Sequence, residues 1–228
     1  QAERQGQGQV SRLVIFDCDG TLVDGQAAIC DTMDEAFAAA RLPSPDRNEV
    51  RRMVGLSLPQ ALRRLAPDAS DDQHDIALEA YKSGYRDRRF KGTLEEPLYD
   101  GVATLIDRLV EAGWLLAVAT GKSDRGLHSC LDMHQIKHHF VSLQTADRHP
   151  SKPHPSMIEE ALAEAGVDSG NAVMIGDTTF DIEMARAAGV RAIGVSWGYH
   201  EPAELMEAGA QGVATTTREL EELINAGA

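Results

Sequence analysis

Asp17 and Asp19 stand one residue apart, directly after the apolar run Leu13-Val-Ile-Phe16. On extended backbone alternate side chains point the same way, so both carboxylates can face one site. Two carboxylates this close repel unless a cation or a shared proton relieves them. A hard divalent ion does so, and Mg2+ keeps waters while taking one or two carboxylates plus a substrate phosphate. Gly20 permits a sharp turn and Thr21 adds a hydroxyl. The same Asp-Gly step is also a common turn signal, so the pair alone does not separate chemistry from a bend.

Three further groups follow. Thr120-Gly121 offers a hydroxyl and a free amide, which can hold phosphate oxygens; it is equally an ordinary strand exit. Lys152 lies in Ser151-Lys-Pro-His-Pro155, where two prolines stiffen the backbone just before a helix expected from Pro155 or Ser156. A stiff loop can aim an ammonium at phosphate, although a lone Lys in such a loop is ordinarily solvated. In Gly176-Asp-Thr-Thr-Phe-Asp181, one carboxylate can ligate a metal and the other support it; both are also helix-capping types. Phosphoryl transfer needs a nucleophile, an acid/base, a metal, and cations or hydroxyls for the charged oxygens. Taken together, the four groups supply that set.

The elements that must position these residues are short apolar runs at Leu13–Phe16, Trp114–Ala119, Phe140–Leu143, Ala172–Ile175 and Val190–Val195. Each has the length of a buried strand. Helical patterns are expected at Gly101–Ala112, Arg125–Met133, Ser156–Ala165, Ile182–Ala188, Ala203–Ala208 and Arg218–Ala226. Gly follows several of them closely, as a helix C-terminus prefers. Strands alternating with helices predict an α/β fold, a parallel sheet covered on both faces. Ligands bind such sheets at the carboxyl ends of the strands, where Asp17, Thr120 and Asp177 all fall. The stretch from Gln26 to about Phe90 breaks the alternation and reads as helices only, interrupted at Leu42-Pro-Ser-Pro45, Gly55 and Ala66-Pro-Asp68.

Composition narrows the function. The chain has 228 residues and a formal charge of −14, which disfavours nucleic acid, whose phosphate backbone needs a basic surface, and anionic membranes. Residues 25–93 carry 11 acidic and 11 basic side chains, so the whole excess lies outside them. Such a step predicts two parts with different duties. No apolar run reaches the ~18 residues of a membrane span. Residues 1–10 read as a disordered leader without a signal-peptide core. Cys18, Cys30 and Cys130 form neither a disulfide framework nor a metal knuckle, and a cytoplasmic setting is expected. Cys18, between two acids, is expected to have a raised thiol pKa and low reactivity.

In order, Asp17-Cys-Asp-Gly-Thr-Leu-Val-Asp24, Ala119-Thr-Gly-Lys-Ser123, Lys152-Pro-His-Pro155 and Gly176-Asp-Thr-Thr-Phe-Asp181 resemble the four motifs of the haloacid dehalogenase superfamily. Met184–Val190 and Gly194–Tyr199 are similar to its phosphoglycolate phosphatase-like members, and the resemblance spans roughly Leu13 to Tyr199. It implies a Rossmann-like three-layer core, residues 11–24 and 94–228, with a C1-type helical cap, residues 25–93, inserted after the first strand. It implies Asp17 as nucleophile and Asp19 as general acid/base. Thr120, Gly121 and Lys152 bind the phosphoryl group; Asp17, Asp177 and the carbonyl of Asp19 hold Mg2+; Asp181 supports the metal site. The expected reaction is hydrolysis of a small phosphorylated metabolite, phosphoglycolate or a sugar phosphate. The alternatives are a phosphomutase of the beta-phosphoglucomutase type, disfavoured because mutase-like relatives tend to have Val at the position of Thr21, and a non-catalytic binding module. Arg51 and Arg52, flanking Gly55, are candidates for a substrate carboxylate. Cys18 replaces a bulkier apolar residue, and Gly25 stands where relatives often have Ser.

Overall fold

The computed structural model describes residues 11–227; the leader expected at residues 1–10 lies outside the described residues. Its centre is a six-stranded parallel sheet of order β3-β2-β1-β4-β5-β6. The strands are β1 (Arg12–Phe16), β2 (Trp114–Thr120), β3 (Phe140–Thr145), β4 (Ala172–Gly176), β5 (Arg191–Val195) and β6 (Val213–Ala214).

The continuous apolar runs have a direct cause. Val14 and Phe16 of β1 enter one hydrophobic cluster, and Leu13 and Ile15 enter another on the opposite face. With both faces dry, polar residues have no place along the strand. One cluster takes Leu105, Ile106 and Leu109 from α5 (Val102–Glu111) and Leu220 and Ile224 from α10 (Thr217–Ala226). The other takes Met157, Ile158 and Ala161 from α7 (Ser156–Ala165), Ile182, Met184 and Ala185 from α8 (Thr179–Ala187), and Leu205 from α9 (Pro202–Ala208). Helix α6 (Asp124–Met133) completes the set, with the Ser123 side chain accepting from Gly126 N at 3.1 Å at its start.

Between β1 and α5 run four helices, α1 (Gln26–Ala39), α2 (Arg47–Met53), α3 (Leu58–Leu65) and α4 (Asp71–Phe90). The three expected breaks separate them. They share a hydrophobic cluster of their own, with Phe37, Val50, Leu62 and Ala77 at its heart. A smaller group, Leu56, Ala61 and Phe180, joins the α2–α3 loop to α8.

Beyond shifts of one or two residues at element ends, two features differ from the sequence reading. Strand β6 has two residues, too few for an apolar run to show. Helix α8 opens at Thr179 rather than Ile182, because a capping box between Thr178 and Asp181 starts it three residues earlier.

Candidate active site

Strand β1 lies between β2 and β4. The chain leaves β1 for neighbours on either side, the topological switch point at which α/β sheets bind ligands. Asp17 follows β1, Thr120 ends β2 and Asp177 follows β4. These three polar groups therefore sit side by side at one sheet edge.

The floor of the site is buried and acidic. Asp17, Asp177 and Asp181 place carboxylate oxygens within 4.8 Å of one another. Lys152, fully buried, joins two of them: Nζ lies 2.9 Å from Asp17 Oδ1 and 2.6 Å from Asp181 Oδ1. Asp17 Oδ1 also accepts from Cys18 N at 2.7 Å. Asp181 Oδ2 accepts from Thr178 N at 3.0 Å and from Thr178 Oγ1 at 2.8 Å, so this carboxylate caps α8 and holds Lys152 at once. Asp177 accepts from Thr21 Oγ1 at 2.9 Å and from Tyr199 N at 2.9 Å. Gly20, at φ +85°, and Gly198 make room for it: a side chain at either would overlap the Asp177 carboxylate.

Charge fixes what else this floor can hold. Three carboxylates face one ammonium, and Asp17 Oδ2 is buried without a hydrogen-bond partner among the described residues. Burial, with Asp181 and Asp19 adding repulsion against the attraction of Lys152, pushes Asp17 up to about 7. Burial, then Asp181 and Asp17, pushes Asp177 well above the carboxylate range. Burial lowers Lys152, but Asp17 and Asp181 outweigh it and keep the ammonium charged. A divalent cation would relieve the same repulsion, and an all-oxygen donor set suits a hard ion. The residues present fit such an ion.

Asp19 lies beside this floor, where Lys122 Nζ stands 3.0 Å from its Oδ1, off the line of a hydrogen bond. Lys122 is held in turn by the buried Glu96 at 2.6 Å. Burial raises Asp19 and Lys122 opposes the rise. Neither Lys122 nor Glu96 is among the residues expected at the site. Lys122 is within reach of sequence reasoning, directly after Thr120-Gly121; Glu96 is far away in the chain and carries no such signal.

Above the floor opens a cavity of about 670 Å³. Asp17, Asp19, Thr120 and Gly121 line it, as do Gly55, Leu56 and Ser57 of the α2–α3 loop and one face of α4. Arg51 and Arg52 do not line it. Arg52 turns outward and forms a two-point pair with Glu204 at 2.6 and 3.2 Å. Neither arginine lines the cavity as expected: the loop at Gly55 reaches it, while Arg52 is bound at α9. Cys18 is buried, and its thiol is pushed up first by a hydrogen bond with Cys130, then by burial, with Asp19 a smaller cause.

Residues 14–195 match the family model described as haloacid dehalogenase-like hydrolase. The protein named Probable phosphatase IndB of Dickeya dadantii (strain 3937) is 35% identical, over 91% of this chain and 91% of that protein. A phosphoglycolate phosphatase of Mesorhizobium japonicum is 30% identical over 82% of this chain and 83% of its own length. The crystal structure of a predicted phosphatase from Clostridium acetobutylicum superposes with a TM-score of 0.85, at 25% identity, covering 96% of this chain and all of that one (100%). By sequence and by fold, this chain belongs to the haloacid dehalogenase-like hydrolase family, and it is a phosphoglycolate phosphatase-like enzyme.

Proposed function

We propose that this enzyme is a Mg2+-dependent phosphatase that hydrolyses a small phosphate monoester through an aspartyl phosphate on Asp17. One observation carries the reading. Asp17, Lys152, Asp177 and Asp181, from three separate stretches of chain, meet beside a cavity that Asp17, Asp19, Thr120 and Gly121 line.

Asp17 attacks phosphorus in line, and the bond to the leaving oxygen breaks while Asp19 protonates it. Asp19 then takes a proton from water, which attacks the aspartyl phosphate and frees Asp17. Burial raises Asp19 above the ordinary carboxylate value, the direction a proton donor needs. Thr120, Gly121 and Lys152 face the phosphoryl oxygens. Asp17, Asp177 and the carbonyl of Asp19 would hold the ion, Asp181 steadying the group through Lys152. When bound, the ion supplies positive charge to the phosphoryl oxygens. Residues 25–93 act as a cap over residues 11–24 and 94–228. The substrate is a small phosphorylated metabolite, phosphoglycolate or a sugar phosphate; the name of the Mesorhizobium relative supports the first. Among the described residues no helix is long and apolar enough to cross a membrane.

The test is phosphate release from a panel of small phosphate esters, with Mg2+ and with a chelator. Release with Mg2+ that stops in Asp17→Asn supports the reading. Activity retained by a folded Asp17→Asn overturns it, and an isomerised sugar phosphate in place of free phosphate would assign a mutase instead.

A further inference from the structure

Helix α4 lines the cavity with Leu78, Tyr81, Lys82, Tyr85, Arg86 and Arg89. Their spacing follows the three- and four-residue steps of one continuous helix face. At 1.5 Å per residue the stripe runs roughly 16 Å. Its two tyrosines stack, ring centroids 5.1 Å apart, and Lys122 Nζ lies 5.8 Å from the centre of the Tyr85 ring. The stripe thus passes beside the lysine that holds Asp19 and leads away from it.

Two of its polar atoms are buried without a hydrogen-bond partner among the described residues: Tyr85 Oη and Arg89 Nε. Buried polar atoms are ordinarily paired, and an orphan asks for an explanation. Arg88, one position earlier, is held by Glu35 at 2.7 Å; no such pair explains the Arg89 Nε. In a chain of net charge −14, this cavity wall is cationic. Its volume of about 670 Å³ falls in the range of about 300–1,000 Å³ that encloses drug-sized ligands. The alcohol of phosphoglycolate, a two-carbon acid, leaves most of it unfilled.

Resting on the phosphatase reading, we infer that Tyr81, Tyr85 and Arg89 form the leaving-group subsite, and that the preferred substrate is a phosphate monoester with a flat or apolar body and an anionic group beyond it. The tyrosines pack the body. Arg89, helped by Tyr85 Oη, binds the anion.

The experiment compares phenyl phosphate, para-carboxyphenyl phosphate and phosphoglycolate with Mg2+, reading kcat and KM separately. The carboxylated arene should exceed phenyl phosphate in kcat/KM by about tenfold to a hundredfold, the effect of one hydrogen bond to a charged group. It should also exceed phosphoglycolate. Arg89→Met should bring the ratio of the two arenes toward one, chiefly through KM, and Arg89→Lys should restore part of it. Tyr85→Phe carries the same comparison should Arg89→Met fail to fold. An unchanged ratio in these variants, or an equal fall on both arenes, would overturn the subsite alone. Release of phosphate from none of the three esters would sink the phosphatase reading and the subsite with it.

Discussion

Lys122 Nζ stands 3.0 Å from Asp19 Oδ1, and Glu96 holds the same ammonium at 2.6 Å. The three groups form a charged chain leading to the carboxylate proposed as acid/base. General acid–base catalysis is worth about 10²- to 10⁴-fold, and its value depends on the position of the proton donor. Lys122→Met should therefore lower kcat by about tenfold to a hundredfold. Glu96→Gln should lower it less, because Lys122 keeps one partner. Steady-state kinetics on any accepted ester checks this; an unaltered kcat in Lys122→Met would refute the positioning role.

The acidic floor predicts how stability depends on pH without metal. Asp17, raised to about 7 in the fold from an ordinary 3.8, binds a proton more tightly folded than unfolded. Its contribution is fully present below the ordinary value and lost as pH rises through about 7. With chelator present, the wild type should lose more Tm than Asp17→Asn as pH rises from about 5 to about 8, a window that brackets the folded value. Parallel Tm curves for the two proteins would contradict the raised value.

Metal should reverse that loss. An ion that binds the folded state alone adds about 2.7 kcal/mol at roughly a hundred times its Kd, and its ligands must be deprotonated, so affinity should rise with pH. Thermal melts of the wild type should shift upward with Mg2+, and those of Asp177→Asn should shift far less. An equal shift in both would remove Asp177 from the metal site.

Gly121 touches the other side of the cavity. A Cβ there would stand 2.6 Å from Leu56 O and 2.8 Å from Gly55 O, both backbone atoms that cannot turn aside. Gly121→Ala should push the α2–α3 loop away from β2. A displacement of about 1 Å can cost about a hundredfold in rate, so a fall in kcat/KM of that order is expected while the fold survives. Wild-type kinetics in Gly121→Ala would show that the close approach is dispensable.

Arg52 offers a contrasting case. Its pair with Glu204 is solvent-exposed, and such pairs contribute about 0–1 kcal/mol. Arg52→Ala should leave KM unchanged and reduce stability by no more than that. A raised KM would restore Arg52 as a substrate ligand.

These cases separate what residue order reveals from what it hides. The ends of β1, β2 and β4 are visible because each of these central strands is an apolar run that gives way at its carboxyl end to polar residues, so residue order alone places Asp17, Thr120 and Asp177 at one sheet edge. The capping role of Asp181 is visible for a similar reason, as a local interaction three residues long. The orientation of Arg52 is not: it depends on Glu204, 152 positions away. Glu96 is silent too, because a buried acid is recognised by its partner, and Lys122 is reached only after the chain has passed through α5 and β2. The stripe on α4 is hidden by its amphipathic pattern, which looks the same whether it faces solvent, core or a cavity.

The four-helix segment leaves and rejoins the sheet layer at nearly the same place. Asp24 N donates to Pro97 O at 2.8 Å, Tyr99 N donates to Leu22 O at 3.0 Å, and Val23 pairs with Leu98 in an antiparallel bridge. A loop whose two ends are already fastened together can change length at small entropic cost, about 0.6 kcal/mol for each doubling. Helices α1 to α4 could therefore be traded for shorter, longer or wholly different inserts without disturbing the register of any strand. Descendants of this chain could acquire new alcohols to release while the machinery for handling phosphorus stayed as it was.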